Sequence, residues 1–261
     1  MSESKPLDGR TAVVTGASAG IGLAVAEHLF ALGSRVVINA RRKDKLDSVA
    51  RGLDPTGKVV ASVAGDASES ATITAMLSTA RVLGGNADLV VVNAGRGLKG
   101  SVTDSDQSQW EEMIRTNILG AARLIREAGN AMAAQAQANG VGWVQHPCDL
   151  IVIGSVVGKH VSPFSSMYGG TKFAVAGMVE GVRRELGPKG VRVTLIEPGF
   201  VTSEFQGVAG YDPKWYDGVV ERIGPVLLPA DVARVIGFVA QQPAHVHLSN
   251  VLVRPTRQDY P

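Results

Sequence analysis

The sequence predicts an open, doubly wound α/β fold, and three observations carry that prediction. Short apolar runs rich in β-branched residues recur along the chain, several without polar alternation, which is the pattern of strands buried on both faces of a parallel sheet. Between them lie stretches long enough for crossover helices. Directly after the first run comes a glycine-rich turn that opens a segment of helical period. In chain order, strands are expected at Thr11 to Val14, Val36 to Ile38, Val59 to Val63, Leu89 to Val92, Leu150 to Ile153, Val191 to Ile196 and Val251 to Val253. Crossover helices are expected over 20–32, 68–83, 106–135, 166–187 and 229–241. No proline-rich linker, composition break or repeat divides the chain, so residues 1–261 read as a single domain. The expected architecture is a Rossmann-like parallel sheet of about seven strands with helices on both faces. One segment breaks the rhythm: Ala136 to Pro147 is long for a helix-to-strand connection. Because it precedes the fifth strand, it is expected opposite the strands' carboxyl ends, in packing or subunit contact.

Composition narrows function by exclusion. Glycine supplies 31 of 261 residues, about 12% against a typical ~7%, so many backbone positions need close approach or positive φ. With 45% hydrophobic and 19% charged residues the chain suits a packed globular protein. A formal charge of +2 gives no argument for nucleic acid or an anionic membrane as partner. The single cysteine, Cys148, excludes an internal disulfide and fits a reducing compartment. The start MSESKPLDGR has no apolar signal-like core, and no stretch approaches the ~18 apolar residues of a membrane span. A cytoplasmic location is expected, and no metal site.

The first chemical signal is Thr15-Gly16-Ala17-Ser18-Ala19-Gly20-Ile21-Gly22, after which Ile21, Val25 and Leu29 repeat every four residues. Glycines there admit a pyrophosphate to the backbone, and the following helix N-terminus offers unpaired N–H groups and partial positive charge. A turn without any ligand is the competing account; the position between an N-terminal strand and an amphipathic helix favours the dinucleotide. The second strand then ends Asn39-Ala40-Arg41-Arg42. Enzymes that use NAD usually place an acid there for the ribose 2′-hydroxyl, whereas NADP needs a cation for its 2′-phosphate. Ala40 takes the acid's place, and the guanidinium forks of Arg41 and Arg42 suit phosphate and adenine stacking. NADP is expected over NAD, with a solvated helix start as the other reading of the two arginines.

The second signal is Tyr168-Gly169-Gly170-Thr171-Lys172, which sets a phenol and an ammonium at i and i+4 on one helix face. A tyrosine pKa near ~10 is too high for acid–base work at neutral pH. A neighbouring ammonium and a cationic nicotinamide are expected to lower it. Alone this spacing is common on ordinary helices. Ser155, 13 residues upstream and just past a predicted buried strand, adds a hydroxyl at the crevice where such folds bind ligands.

Taken together these residues resemble the short-chain dehydrogenase/reductase family. TGASAGIG at 15–22, Asp66, Asn93-Ala94-Gly95, Asn117, Ser155, Tyr168 with Lys172, and Pro198-Gly199 with Thr202 fall in that family's order and approximate spacing, covering residues 15–202. The resemblance implies that Tyr168 is the general acid in carbonyl reduction and the base in alcohol oxidation, and that Ser155 hydrogen-bonds the substrate oxygen. It implies that Lys172 binds the nicotinamide ribose and that Asn117 holds a water linking Lys172 to solvent. For the cofactor it implies Gly16, Ser18, Gly20, Ile21 and Gly22 around the pyrophosphate, and Asp66 with Ala67 at the adenine. Asn93, Ala94 and Gly95 would pass beneath the ribose, and Pro198, Val201 and Thr202 would meet the carboxamide and phosphates. Asp66 is open to a second reading as a helix cap. Three features depart from the family's pattern: Val92 where a second asparagine is common, Gly170 where alanine is frequent, and the 136–147 segment. The tail Val251 to Thr256 looks like that of NADP-preferring members acting on small hydroxy acids.

Substrate choice is expected in the loops beyond the carboxyl strand ends, at 96–100, 156–167 and 200–229. The last holds Phe205, Tyr211, Trp215 and Tyr216 among glycines and prolines, as a substrate lid with an apolar inner face does, or as plain packing does. Arg96 and Lys99 read either as a clamp for a substrate carboxylate or as solvated loop charges, and His160 as a candidate pocket residue. The expected activity is NADP(H)-dependent hydride transfer to or from a small secondary alcohol or carbonyl, such as a polyol, hydroxy acid or ketone. A ketoreductase for a larger ester or steroid-like ring, and a non-catalytic NADP-binding regulator, are the alternatives. The resemblance implies a homodimer or homotetramer paired through 106–135 and 166–187.

Overall fold

The computed structural model describes residues 4–160 and 162–260. Seven strands form one parallel sheet in the order β3-β2-β1-β4-β5-β6-β7. They are β1 (Thr11–Thr15), β2 (Arg35–Ala40), β3 (Val60–Ala64), β4 (Leu89–Val92), β5 (Cys148–Ile153), β6 (Val191–Pro198) and β7 (Asn250–Val253). The chain runs outward from β1 to β3, then restarts on the other side of β1 at β4. This reversal opens a crevice at the carboxyl ends of β1 and β4, the usual ligand position in such sheets.

The apolar runs explain the layering. Successive strand residues point to opposite faces. Accordingly, Val13, Val37, Val90, Leu150 and Val193 pack against α3 (Ser70–Gly84), α5 (Ala121–Ala138) and α6 (Ser166–Leu186). Their neighbours Val14, Ile38, Val91, Ile151 and Ile196 pack against α1 (Gly20–Ala31), α2 (Lys43–Leu53) and α9 (Pro229–Ala240). β7 is half exposed because it lies at the sheet's edge.

Helix α2 is absent from the sequence-based expectation, although Leu46, Val49, Ala50 and Leu53 of KDKLDSVARGL fall at helical spacing and pack against the core. The stretch expected as one helix from residue 106 is a stack of turn types. A 3₁₀ turn (Gln107–Gln109) leads to α4 (Trp110–Ile114), a π turn (Arg115–Gly120) and then α5. Helix α5 continues to Ala138, into the segment expected as a loop, and a second 3₁₀ turn (Gly140–Val144) follows. Trp143 from that turn lies beside Gly190, just before β6, where a Cβ would sit 3.5 Å from the indole. The segment thus packs at the sheet's amino end.

That end also holds a buried ion network. Arg10 reaches Asp88 at 2.6 Å and Asp149 at 2.9 Å, and Arg192 grips both Asp149 oxygens at 2.7 and 2.8 Å. Arg192 also donates to the carbonyls of Gln242, Pro243 and Val246, tying β6 to the end of α9. The Cys148 thiol beside it is pushed up to about 12 by burial, with Asp88 adding to the shift, and is therefore protonated and unreactive.

Candidate active site

The site starts at the turn after β1. Gly16 has φ +68°, and a Cβ there would lie 2.8 Å from Asn93 Nδ2. Gly22 has no such φ, but its Cβ would lie 2.3 Å from the Gly16 carbonyl oxygen, so α1 can start this close to the turn only on glycine. The N-cap of α1, Ala19, makes no side-chain cap, and Ala19, Gly20 and Ile21 face the crevice. Uncapped N–H groups at a helix N-terminus and bare backbone are what a pyrophosphate requires.

The turn is braced from β4. Asn93 Nδ2 donates to the carbonyl of Thr15 at 2.8 Å, while Thr15 Oγ1 accepts the N–H groups of Asn93 and Ala94, each at 3.0 Å. One asparagine therefore suffices for the brace, and Val92, where a second is common, is core.

The carboxyl end of β5 supplies Ser155, whose Oγ accepts the Val157 N–H at 3.4 Å and caps a 3₁₀ turn (Val156–Gly158). Helix α6 then returns Tyr168 and Lys172 to the same place, both buried. Lys172 Nζ donates to the Ile153 carbonyl at 2.9 Å and lies 5.8 Å from the centroid of the Tyr168 ring. It has no carboxylate partner among the described residues, and burial pulls its pKa down to about 8. Tyr168 stays above its ordinary value because burial outweighs the hydrogen bond with Ser155. The depression expected from Lys172 is thus not produced by the chain alone: the ammonium flanks the ring while Phe205, 5.6 Å away between centroids, helps to bury it.

Asn117 lies buried in the π turn. Its Oδ1 accepts the Arg96 N–H at 2.9 Å, and its Nδ2 donates to the Arg96 carbonyl at 2.9 Å and to Thr171 Oγ1 at 3.0 Å. It fastens the segment after β4 to α6 next to Lys172. The π turn that carries it spans Arg115–Gly120, the kind of bulge found frequently at functional sites.

These elements enclose a cavity of about 360 Å³. Of the residues expected at the cofactor, Gly16, Gly20, Ile21, Asn93, Ala94, Gly95, Pro198 and Val201 line it, together with Ser155, Tyr168 and Lys172. Ser18, Gly22, Asp66, Ala67 and Thr202 stand behind or beside it. Asp66 accepts the N–H and hydroxyl of Ser68; burial opposes ionisation, yet these donors and Arg115 hold the carboxyl below its ordinary range. Thr202 lies within 3.4 Å of the Tyr216 hydroxyl.

Past β2, Arg41 pairs with Glu112 at 3.1 Å. Arg42 and Lys45 converge on Glu204, at 3.2 and 2.8 Å, and Ser203 rests 3.4 Å from where a Gly20 Cβ would be. Lys45 and Glu204 escape sequence reasoning because nothing local links residues 159 apart in the chain.

The 200–229 segment folds as α7 (Phe205–Ala209) and α8 (Pro213–Ile223), its ends joined by a bridge between Val201 and Leu227. Phe205, Tyr211, Trp215 and Tyr216 all reach the cavity. His160 does not: the turn after Ser155 carries it outward, where its ring lies 3.4 Å from Arg254. Arg96 borders the cavity, but its terminal nitrogens turn to Glu112 and Gln109. Lys99 lies outside it, beside Gly210.

Comparison with known proteins agrees with this geometry. The profile of the short chain dehydrogenase family matches residues 10–212. An uncharacterized oxidoreductase of Staphylococcus saprophyticus is 33% identical over 250 residues, spanning 95% of this chain and 98% of that protein. Among solved structures, a serine dehydrogenase complexed with NADP+ superposes with a TM-score of 0.84 at 28% identity, over 96% of both chains. An alcohol dehydrogenase of Thermococcus sibiricus complexed with 5-hydroxy-NADP gives 0.80 at 25% identity, over 97% of this chain and 99% of that one.

Proposed function

The chain belongs to the short-chain dehydrogenase family and is an oxidoreductase of that type with a nicotinamide cofactor, and from that premise we propose that it is selective for NADP(H) and interconverts a secondary alcohol and its carbonyl. The observation that carries the reading is the meeting of Ser155, Tyr168 and Lys172 with the glycine turn around one cavity. Two further features favour the 2′-phosphate. Arg42 and Lys45 bring two cations to one place past β2, where a 2′-phosphate would take over from the exposed Glu204 carboxylate, and the two solved structures named above are complexed with NADP-type cofactors.

Bound cofactor supplies or accepts the hydride. The chain's own residues do the rest. Gly16, Gly20 and Ile21 present backbone to the pyrophosphate, and Asn93 to Gly95 form the floor under the ribose. Tyr168, protonated across the neutral range, donates to the carbonyl oxygen as charge develops there, and Ser155 donates a second hydrogen bond to the same atom. Lys172, cationic below about pH 8, stabilises the phenolate left behind. Asn117 holds the segment that borders Lys172 in place. In the oxidative direction Tyr168 is the base. These intact groups favour an enzyme over a non-catalytic NADP-binding regulator.

The exposed apolar side chains Ile114, Leu119 and Phe173 on or beside the 106–135 and 166–187 stretches favour pairing of copies there. A cytoplasmic location fits the buried, unpaired Cys148; among the described residues no helix is long and apolar enough to cross a membrane.

Titration of the purified protein with NADPH and NADH, followed by nicotinamide fluorescence, tests the cofactor. We expect NADPH to bind at least about tenfold more tightly, and the doubly substituted Arg42→Ala, Lys45→Ala protein to lose that preference. Equal affinities in the unaltered protein would refute the selectivity.

A further inference from the structure

We propose that the substrate is a bulky apolar ketone or secondary alcohol bearing an aryl or comparable ring and no carboxylate, rather than a polyol or short hydroxy acid. This rests on the catalytic reading of Tyr168 and Ser155 above. The chain is poor in aromatics, with three Trp, four Tyr and six Phe in 261 residues. Eight of these thirteen line the one cavity. Trp215 stacks on Tyr211, 5.2 Å between centroids and 19° between planes, and meets Phe200 at 6.4 Å. Phe164 and Trp215 remain 61% and 39% exposed. Large apolar groups held in water at the mouth of a cavity mark a place that an apolar ligand covers.

The charged and polar groups point the same way, because they are already engaged. Arg96 is turned to Glu112 and Gln109, and Arg222 at the rim donates to both oxygens of Asp259 at 3.0 and 3.2 Å. Gln206 donates to the Val201 carbonyl and accepts the Ser203 N–H. The Tyr211 hydroxyl is hydrogen-bonded with Ser165. A substrate carboxylate would have to displace one of these partners, and a polyol would leave its hydroxyls against aromatic faces. The pole formed by Ser155 and Tyr168 suits one carbonyl oxygen on an otherwise apolar molecule.

In the reductive direction the carbonyl carbon gains two electrons as a hydride from NADPH, which becomes NADP+. The C=O π pair moves onto oxygen, and that oxygen takes the Tyr168 proton, which solvent later replaces.

The test measures kcat/KM at saturating NADPH for propiophenone, acetoacetate and dihydroxyacetone. We expect propiophenone to exceed both others by on the order of 100-fold, the effect of burying one phenyl group. Equal or better turnover of acetoacetate or dihydroxyacetone overturns the proposal while leaving the oxidoreductase reading intact. Absence of turnover on all three by protein that binds NADPH sinks the catalytic reading and the proposal with it. A second arm uses Trp215→Arg, with NADPH affinity as the check on folding. It should lose about tenfold in propiophenone kcat/KM and gain in acetoacetate kcat/KM. Unchanged propiophenone kinetics in a variant that binds NADPH normally would also overturn it.

Discussion

At the amino end of the sheet Asp149 is wholly buried and takes hydrogen bonds from two guanidinium groups, whereas at the carboxyl end Lys172 is nearly as deep and reaches only a backbone carbonyl. Both ends sit on the same strands: β5 begins beside Asp149 and finishes at Ile153, the acceptor of Lys172. The difference lies in what closes the charge. Arg10, Asp88, Asp149 and Arg192 complete one another inside the chain, so that network holds structure. Lys172 and Tyr168 have their protonation equilibria displaced by burial and are left uncompensated by the chain, the condition of groups that await a ligand.

The comparison breaks most visibly at Tyr168. Tyr168→Phe keeps the ring that packs on Phe205 and removes the proposed proton donor, so kcat should fall by about 10²–10⁴-fold with NADPH affinity little changed. Steady-state turnover and a fluorescence titration on the same preparation check both halves, and retained turnover would overturn the mechanism. At the other end Asp149→Asn leaves two buried guanidinium groups facing a neutral amide. Unfolding in urea should show a loss of about 3–5 kcal/mol, while kcat per folded molecule stays the same. A stable but inactive Asp149→Asn protein would erase the division between the two ends.

The division also shows what a sequence reveals. The glycine turn and the Tyr168–Lys172 pair are legible because their spacing is fixed by one turn or one helix, and Ser155 because it ends a strand with an unmistakable apolar run. Arg10, Asp88, Asp149 and Arg192 come from four distant stretches, and in the sequence each is an ordinary charge. The same holds for Glu204 with Arg42 and Lys45. His160 shows the converse: five residues from Ser155 it looks close, but the intervening 3₁₀ turn directs it to Arg254. The raised pKa of Tyr168 could not be read from an i, i+4 pair, because burial comes from elements that pack over the helix.

Lys172 sharpens the comparison through pH. Its ammonium has an ordinary pKa of 10.5 in the unfolded chain and about 8 when buried. Between these values the unfolded chain holds a proton that the folded chain has released, so stability rises with pH across that window. Below it both states are protonated, and the cost of burying the charge, on the order of 3 kcal/mol, is fully present. Lys172→Met carries no such cost. Its stability advantage over the cofactor-free parent should therefore shrink by that amount between about pH 7 and about pH 11. A difference that is flat with pH would mean that Lys172 is solvated in the free protein and that the carboxyl end does not bury an uncompensated charge.

The smallest effect lies between Tyr168 and Lys172 on α6. Gly170 is exposed on α6, has an ordinary helical conformation, and an added Cβ would meet nothing within 4 Å. Glycine in a helix interior costs about 0.5–1 kcal/mol relative to alanine, mostly through the freedom of the unfolded chain. Gly170→Ala should raise stability by about that amount with kcat and NADPH affinity unaltered, since the Cβ points away from Tyr168 and Lys172 and their spacing on the helix is untouched. Thermal unfolding beside a turnover assay decides it. A fall in kcat would show that the active-site helix must yield at Gly170 during the cycle, and the carboxyl end would then differ from the amino end in flexibility as well as in charge.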